Sequence, residues 1–530
     1  MNPLRRHAAR LCLGLIALLY VAAAWALTYG ARSIQGDNFS RIANAFYVLY
    51  SRDPHLAAVG FVWNPLPSLL DLPLLVVLRP FGLALLAGPL QSALWSVANV
   101  ALMARILRQI GVAGWLRPAL VAVYALNPFV ALYAANGMTE AAFMTAIFLL
   151  TSALFSWHAT ESPGALLMAG LACALAMGIR YEVFALVLIG AMAIALIWWE
   201  RHWGDWPRLE GQLLAFLAPF LYVLLVWGLA NWMFMGSPTF FLDGPSSNAA
   251  QTEQFRHPGS ELWPLYRHLG PAISFALARC LLFMPGLIPL LVLAAGTLAL
   301  RRRPTAAVVL FAPAAVLLFH VYYLYAGQSF GWLRYYCYSV PLGLWAAALV
   351  VAHGPPPSGA RSRRRALAHR WITIPLVMAT VALSVPTTLV GLVGPAWGRA
   401  EHGVLDDLVE RATAAGAATR WSDEQAMAAY IDGLRLPRGS VALDTQDGFA
   451  IPMYSHAPAQ FIVSSDHDYV GIVAALPLFH GYVLVPRSSL VVSPILSLYP
   501  GLRSNTARWA RLQRRTGRWL LYRIAPSTDG

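Results

Sequence analysis

One recurrence constrains this chain more than any other feature: runs of roughly 20 apolar residues, the length a helix needs to cross a hydrocarbon layer, return about eleven times before residue 396. They fall roughly at 11–29, 84–104, 117–135, 139–157, 164–180, 183–199, 212–234, 272–299, 305–326, 335–352 and 371–395. With 58% hydrophobic and only 12% charged residues, a water-soluble fold would expose far more apolar surface than water tolerates. The expected fold class is therefore a polytopic α-helical membrane protein. The first run follows Arg5, Arg6 and Arg10 like the core of a signal peptide, but the equally apolar runs behind it make it an uncleaved first helix.

The formal net charge of +14 comes from arginine alone, since the chain contains no lysine. Nucleic-acid binding is disfavoured, because the arginines cluster between apolar runs, as in "RRR" at 301–303 and "RSRRR" at 361–365. With the N-terminus in the cytoplasm, Arg105, Arg108, the "WWERHWGDWPRLEG" loop, Arg301–Arg303 and the 353–370 linker all fall on the cytoplasmic side. This agreement requires that Pro65–Pro80 does not cross, which its prolines and Asp71 also favour. Cys12, Cys173, Cys280 and Cys337 lie in or beside apolar runs without metal-ligand spacing, so neither a disulfide framework nor a zinc site is implied.

The same orientation places residues 30–83, 136–140, 178–182, 235–271 and 327–334, and everything after about 396, on the external side. Between Asp37 and Arg52, Phe39, Ile42, Phe46 and Leu49 recur at helical spacing opposite Ser40, Arg41, Asn44 and Arg52, the pattern of a juxtamembrane helix lying along the interface. The tail changes character. Amphipathic stretches near 401–415 and 423–435 precede short runs, "SVALDT", "QFIVSSD", "GYVLVPR" and "WLLYRIA", that read as strands of a small external α/β domain. The expected division is a membrane domain over 1–395 and a soluble domain over 396–530.

A few ionisable residues stand out. Asp37 is either the N-cap of the interfacial helix or a general base at the outer mouth of the bundle. Glu140 begins a helix, where the dipole favours its charge. Arg180 and Glu182, in "GIRYE", sit between two apolar runs, where isolated charges are paired or functional. A structural pairing of Arg180 with Glu182 or Glu140 competes with a role in binding. Arg334 opens a helix, against the dipole, so a phosphate partner explains it better than helix stability does, with snorkelling as the competing account. Arg256 and His257 are weaker candidates of the same kind. Asp53, in "SRDPHL", is a further carboxylate or a turn former, and the tail's "SSDHDY" reads as a solvated turn more readily than as a metal site.

Taken in order, "GDNFSRI", "WNPLPSLL", "NPFVALYAANGMTE", "GIRYEVF", "NWMFMGSP" and "GWLRYYCYSVPLGL" resemble the GT-C superfamily of polyprenyl-phosphate-sugar-dependent glycosyltransferases. Protein O-mannosyltransferases and lipid A aminoarabinose transferases belong to it. The resemblance implies a GT-C-like membrane domain with a catalytic acidic residue in the first external loop, which maps onto Asp37. It also implies donor-phosphate binding by Arg334 and Arg180, and inverting transfer to a lipid, glycan or protein acceptor at the outer face of a bacterial cytoplasmic membrane. Many members carry a second acidic residue beside the first, where this chain has Asn38; no metal ligands are assigned, although a divalent metal is compatible with the superfamily. The competing function is a transporter or flippase of a lipid-linked precursor, whose charges would gather near the bilayer midplane instead of at its rim.

Overall fold

The computed structural model describes the chain except for residues 1–2, 62, 245–246, 302–303, 354–368, 414–419, 489–492 and 525–530. The basic run at 361–365, most of the 353–370 linker and part of 301–303 lie outside the described residues. The chain divides into two compact units. The first comprises residues 1–24, 92–230 and 252–406, and the second comprises 25–91, 231–251 and 407–530. The first long segment after the N-terminal helix thus belongs with the tail, where the sequence pattern grouped it with the spans.

The first unit is helical. Among the described residues of the whole chain, eight helices are long and apolar enough to cross a membrane, or nine if one bent pair counts as a single span. That pair, Leu269–Phe283 and Leu287–Leu300, turns by 86° around Met284-Pro285-Gly286. Met284 is extended (φ −148°, ψ 86°), as a residue before proline tends to be, and the helix stops there. Two expected spans are shorter than the sequence suggested. The 117–135 run breaks into Leu116–Ala125 and Pro128–Tyr133, because Asn127 caps the second helix by accepting from the Phe129 amide at 3.0 Å with Pro128 at its first position. The 164–180 run yields a helix of 15 residues, Pro163–Met177.

Ser339–Ala352 is apolar on every side and correspondingly buried, with Trp345 fully enclosed. Trp206–Met235 is the opposite case. Tyr222, Leu225, Leu229 and Trp232 are exposed along it, and an apolar surface of that kind is stable only against lipid. This helix also receives Gly170, where an added Cβ would run into the Phe216 carbonyl and Pro219, so the two backbones approach as small residues permit in membrane helices. The chain is a multi-pass membrane protein.

The second unit is built on a five-stranded mixed sheet. Its strands are β1 (Val441–Leu443), β2 (Phe461–Ile462), β3 (Tyr482–Pro486), β4 (Ala510–Thr516) and β5 (Trp519–Ile524), in the order β2-β1-β3-β5-β4. β1 pairs parallel with β2 and β3, while β5 pairs antiparallel with β3 and β4. Alternation along the strands supplies two cores. Val441, Leu443, Phe461, Leu484, Trp519 and Leu521 line one, and Ala442, Ile462, Val483, Val485, Leu520 and Tyr522 line the other. Burial on both faces explains why these strands read as apolar runs.

The helix Gly36–Tyr50 backs the first of these cores. Ile42, Ala43, Phe46 and Tyr47 pack with Met427, Ile431 and Leu443, and the Tyr47 hydroxyl donates to the Phe449 carbonyl at 2.7 Å. It does not span, as expected, but its apolar stripe is covered by the tail and not left to lipid. Arg41, expected on an open polar face, is buried with its guanidinium 4.6 Å from the Trp63 ring centre. Leu66–Leu78, at 13 residues or roughly 20 Å, is too short to cross, in keeping with the expectation for Pro65–Pro80. Its Asp71 is buried and accepts from Gln91 Nε2 at 2.9 Å.

Candidate active site

Within the first unit, three elements far apart in the chain bring four charges together. Glu140 begins the helix Glu140–Thr160, Arg180 and Glu182 lie in the turn before Val183–His202, and Arg334 lies in the single 3-10 turn Leu333–Tyr336. Arg180 donates from Nη1 to Glu140 Oε1 at 2.8 Å, and from Nε and Nη2 to Glu182 Oε1 at 2.8 and 2.6 Å. Arg334 Nε lies 3.4 Å from the same Glu140 oxygen. Glu140 is 2% exposed and its Oε2 has no hydrogen-bond partner among the described residues, so the carboxylate shared by two guanidinium groups still has an idle acceptor.

Aromatic rings hold the arginines in place. The Arg334 guanidinium lies 3.8 Å from the Trp332 ring centre, and Arg180 lies 5.7 Å from that of Tyr335. His320, from the helix Val308–Tyr325, stacks on Tyr335 with ring centres 4.6 Å apart, and its Nε2 lies 3.7 Å from Glu182 Oε1. A small cavity next to Glu140 is lined by Asn99, Tyr124, Tyr133, Met144 and Cys337. Tyr133 donates to Glu401 Oε1 at 2.5 Å. Burial raises the pKa of Glu401, against the Tyr133 hydrogen bond and the charge of Arg334, which lower it.

The sequence singled out Glu140, Arg180, Glu182 and Arg334, and the structure assembles these four. Both structural pairings foreseen for Arg180 are made at once. His320 and Glu401 were missed. A lone histidine in "VLLFHVYYLY" carries no partner in its own neighbourhood, and Glu401 sits in an amphipathic stretch where a solvated face is the ordinary expectation. Arg256 is instead tied to Glu253 at 2.7 Å and to the Gly327 carbonyl at 3.2 Å, and His257 is exposed with Nδ1 3.0 Å from the Pro258 carbonyl.

Asp37 belongs to the second unit. It occupies the first turn of Gly36–Tyr50 but does not cap it: Gln35 holds the N-cap position, with no side-chain capping bond to the helix end among the described residues. The N-cap reading is therefore corrected, since the helix begins one residue before Asp37. Arg41 Nη1 donates to the Asp37 carbonyl at 3.1 Å, bracing this turn. Asn38, buried at 1% exposure, has neither its Oδ1 nor its Nδ2 hydrogen-bonded among the described residues, and it packs so close to Gly88 that a Cβ there would meet its Oδ1. Asp53 does not supply a second carboxylate beside Asp37. The 15-residue helix holds them about 20 Å apart, and Asp53 Oδ2 is bonded to the His467 amide at 3.0 Å and ring Nδ1 at 2.6 Å. These two bonds lower its pKa.

No family model and no curated protein matches this sequence. Among solved structures, the chain is similar to ArnT from Cupriavidus metallidurans in the apo state, at 14% identity and a TM-score of 0.51, over 97% of this chain and 98% of that one. It is also similar, at 12% identity and a TM-score of 0.44, to the archaeal oligosaccharyltransferase AglB from Archaeoglobus fulgidus in complex with an inhibitory peptide and a dolichol-phosphate, over 90% of this chain and 70% of that one. The near end-to-end correspondence with ArnT, together with the apolar helices and the small C-terminal sheet, gives this chain the GT-C fold that its sequence motifs resemble.

Proposed function

We propose that the protein is a membrane glycosyltransferase that moves a sugar from a polyprenyl-phosphate donor to an acceptor at the outer face of a bacterial cytoplasmic membrane, with the second unit on that face. The observation that carries this reading is the gathering of Arg180 and Arg334 around the buried Glu140 in a lipid-embedded helical fold. Nucleotide sugars are made in the cytoplasm, so transfer on the far side requires a donor already carried across, and a prenyl chain can reach such a site through the bilayer.

In this mechanism the acceptor hydroxyl attacks the anomeric carbon while Asp37 takes or orients its proton. The sugar–phosphate bond breaks and the polyprenyl phosphate leaves with an added negative charge. Arg334, preset by Trp332, stabilises that charge, and Arg180 supports it from between Glu140 and Glu182. Glu140 Oε2 offers an acceptor for a sugar hydroxyl. Direct displacement inverts the anomeric centre. The acceptor hydroxyl belongs to a lipid, a glycan or a protein, and a divalent metal is not required by this scheme.

Purified protein incubated with a panel of polyprenyl-phosphate sugars tests it. Wild type is expected to release or transfer sugar. Asp37→Asn should lower the rate at least 100-fold, and Arg334→Ala by 10- to 100-fold, roughly the scale of a lost base and a lost charge stabiliser. Unchanged turnover by Asp37→Asn removes the base. Movement of intact donor across vesicles, without bond cleavage, would replace the enzyme with a flippase.

A further inference from the structure

The second unit contains a cluster that the proposed transfer reaction does not use. Asp53, His55 and His467 each offer one ligand atom, and these atoms all lie within 4.8 Å of one another. We propose that these three residues form a binding site for a divalent transition metal of borderline softness, zinc foremost, which clips the segment following Gly36–Tyr50 to the tail.

Two imidazoles and one carboxylate are the donor set such an ion prefers, with room left for water or an exogenous ligand. Bonds of about 2.0–2.2 Å in a tetrahedral arrangement separate neighbouring ligand atoms by about 3.4 Å, so side-chain adjustments of about 1 Å close the site. His467 Nδ1 and Asp53 Oδ2 now share a proton at 2.6 Å. On binding, that proton goes to solvent and the metal takes its place between the same two atoms, with a small opening of the pair. The two histidine rings lie side by side, centres 4.2 Å apart, and His55 Nδ1 lies 2.7 Å from the Asp53 carbonyl, a contact that fixes one ring tautomer.

The surroundings prebuild this arrangement. Arg52, next to Asp53, bonds through Nε to Asp466 Oδ2 at 2.9 Å and through Nη2 to Asp468 Oδ1, gripping both neighbours of His467. Pro54 stiffens the Asp53-to-His55 spacing. Three carboxyl groups, of Asp53, Asp466 and Asp468, gather here against the guanidinium groups of Arg52 and of Arg438, which donates to the Arg52 carbonyl, so positive charge does not dominate the cluster. The sequence alone made "SSDHDY" a solvated turn because its partners lie more than 400 residues earlier.

The test uses the full-length protein in detergent, purified without a histidine tag and stripped with chelator. Titration with zinc by calorimetry, and with cobalt by its visible absorption, should show one equivalent bound in wild type with the spectrum of a low-coordinate nitrogen and oxygen site. His467→Ala, whose side chain is 71% exposed in the parent and so dispensable for folding, should lose that equivalent or bind at least 10-fold more weakly, as should His55→Ala. Zinc should raise the thermal midpoint of wild type and not that of His467→Ala. Equal stoichiometry in wild type and both variants, or none in wild type, overturns the site and leaves an Asp53–His467 hydrogen bond.

Discussion

Glu140 sits where two guanidinium groups need one carboxylate, so its loss leaves a buried cluster with more positive than negative charge. Glu140→Ala is expected to cost about 3–5 kcal/mol, the scale for breaking a buried pair, read as a lowered thermal midpoint in detergent; an unchanged midpoint means the arginines are solvated. Glu401 makes a different claim. Its folded pKa is raised by burial, so its contribution favours folding below the ordinary carboxyl pKa and is lost as pH rises through the raised value. Glu401→Gln should remove this dependence, leaving stability flatter with pH and equal or higher at neutral pH. A steeper fall for the variant contradicts the raised pKa. At this scale the sequence flagged charges that were anomalous for their surroundings, Arg334 against a helix dipole and Arg180 between apolar runs. It missed His320 and Glu401, whose significance lies wholly in what they face.

Secondary elements were legible wherever burial imposed a period. The strands at 441–443, 461–462, 482–486 and 519–524 fall inside the runs their alternation or apolarity marked. β4 was not foreseen: "ARLQRRT" is an edge strand whose arginines face solvent, and such charges protect an edge while erasing its apolar signal. Gly36–Tyr50 was readable as an amphipathic helix, but its apolar stripe could not declare whether lipid or protein would cover it. The helix Ser422–Gly433 is tied to β5 and the residue before it through Glu424, which is 1% exposed and accepts from Arg518 Nε at 2.7 Å and Trp519 Nε1 at 2.9 Å. Glu424→Ala strands the buried Trp519 indole donor and releases the partly exposed Arg518 to water, and should destabilise the second unit by about 1–3 kcal/mol. Faster limited proteolysis of the tail, with the membrane helices intact, would register it; unaltered proteolysis would show that packing alone holds the helix.

Across the whole molecule, the second unit sets a parity rule: its three chain segments belong to one compact body, so an even number of crossings separates any two of them. Between residues 251 and 407 lie three unbroken candidate spans, Val308–Tyr325, Leu333–Ala352 and His369–Val393, so this rule predicts that the bent pair Leu269–Phe283 and Leu287–Leu300 crosses once as a broken span. Between 91 and 231, the same rule predicts that Leu116–Ala125 and Pro163–Met177 either both cross, each completed by neighbouring turns, or both stay on one side. Cysteines placed at the exposed Leu56 and Val470 should accordingly react with an impermeant reagent from the same side of the membrane, and one at Trp203 from the opposite side. Labelling of Leu56→Cys and Val470→Cys from opposite sides would dissolve the rule. The sequence by itself determined that this is a helical membrane protein with a mixed α/β tail, because hydrophobic length and period are local properties written along the chain. Only the tertiary structure decided that residues 25–91 share a core with the tail, that Glu140 serves two arginines and that Asp53 meets His467. Those are contacts between residues tens to hundreds of positions apart, and no local pattern encodes a partner at that distance.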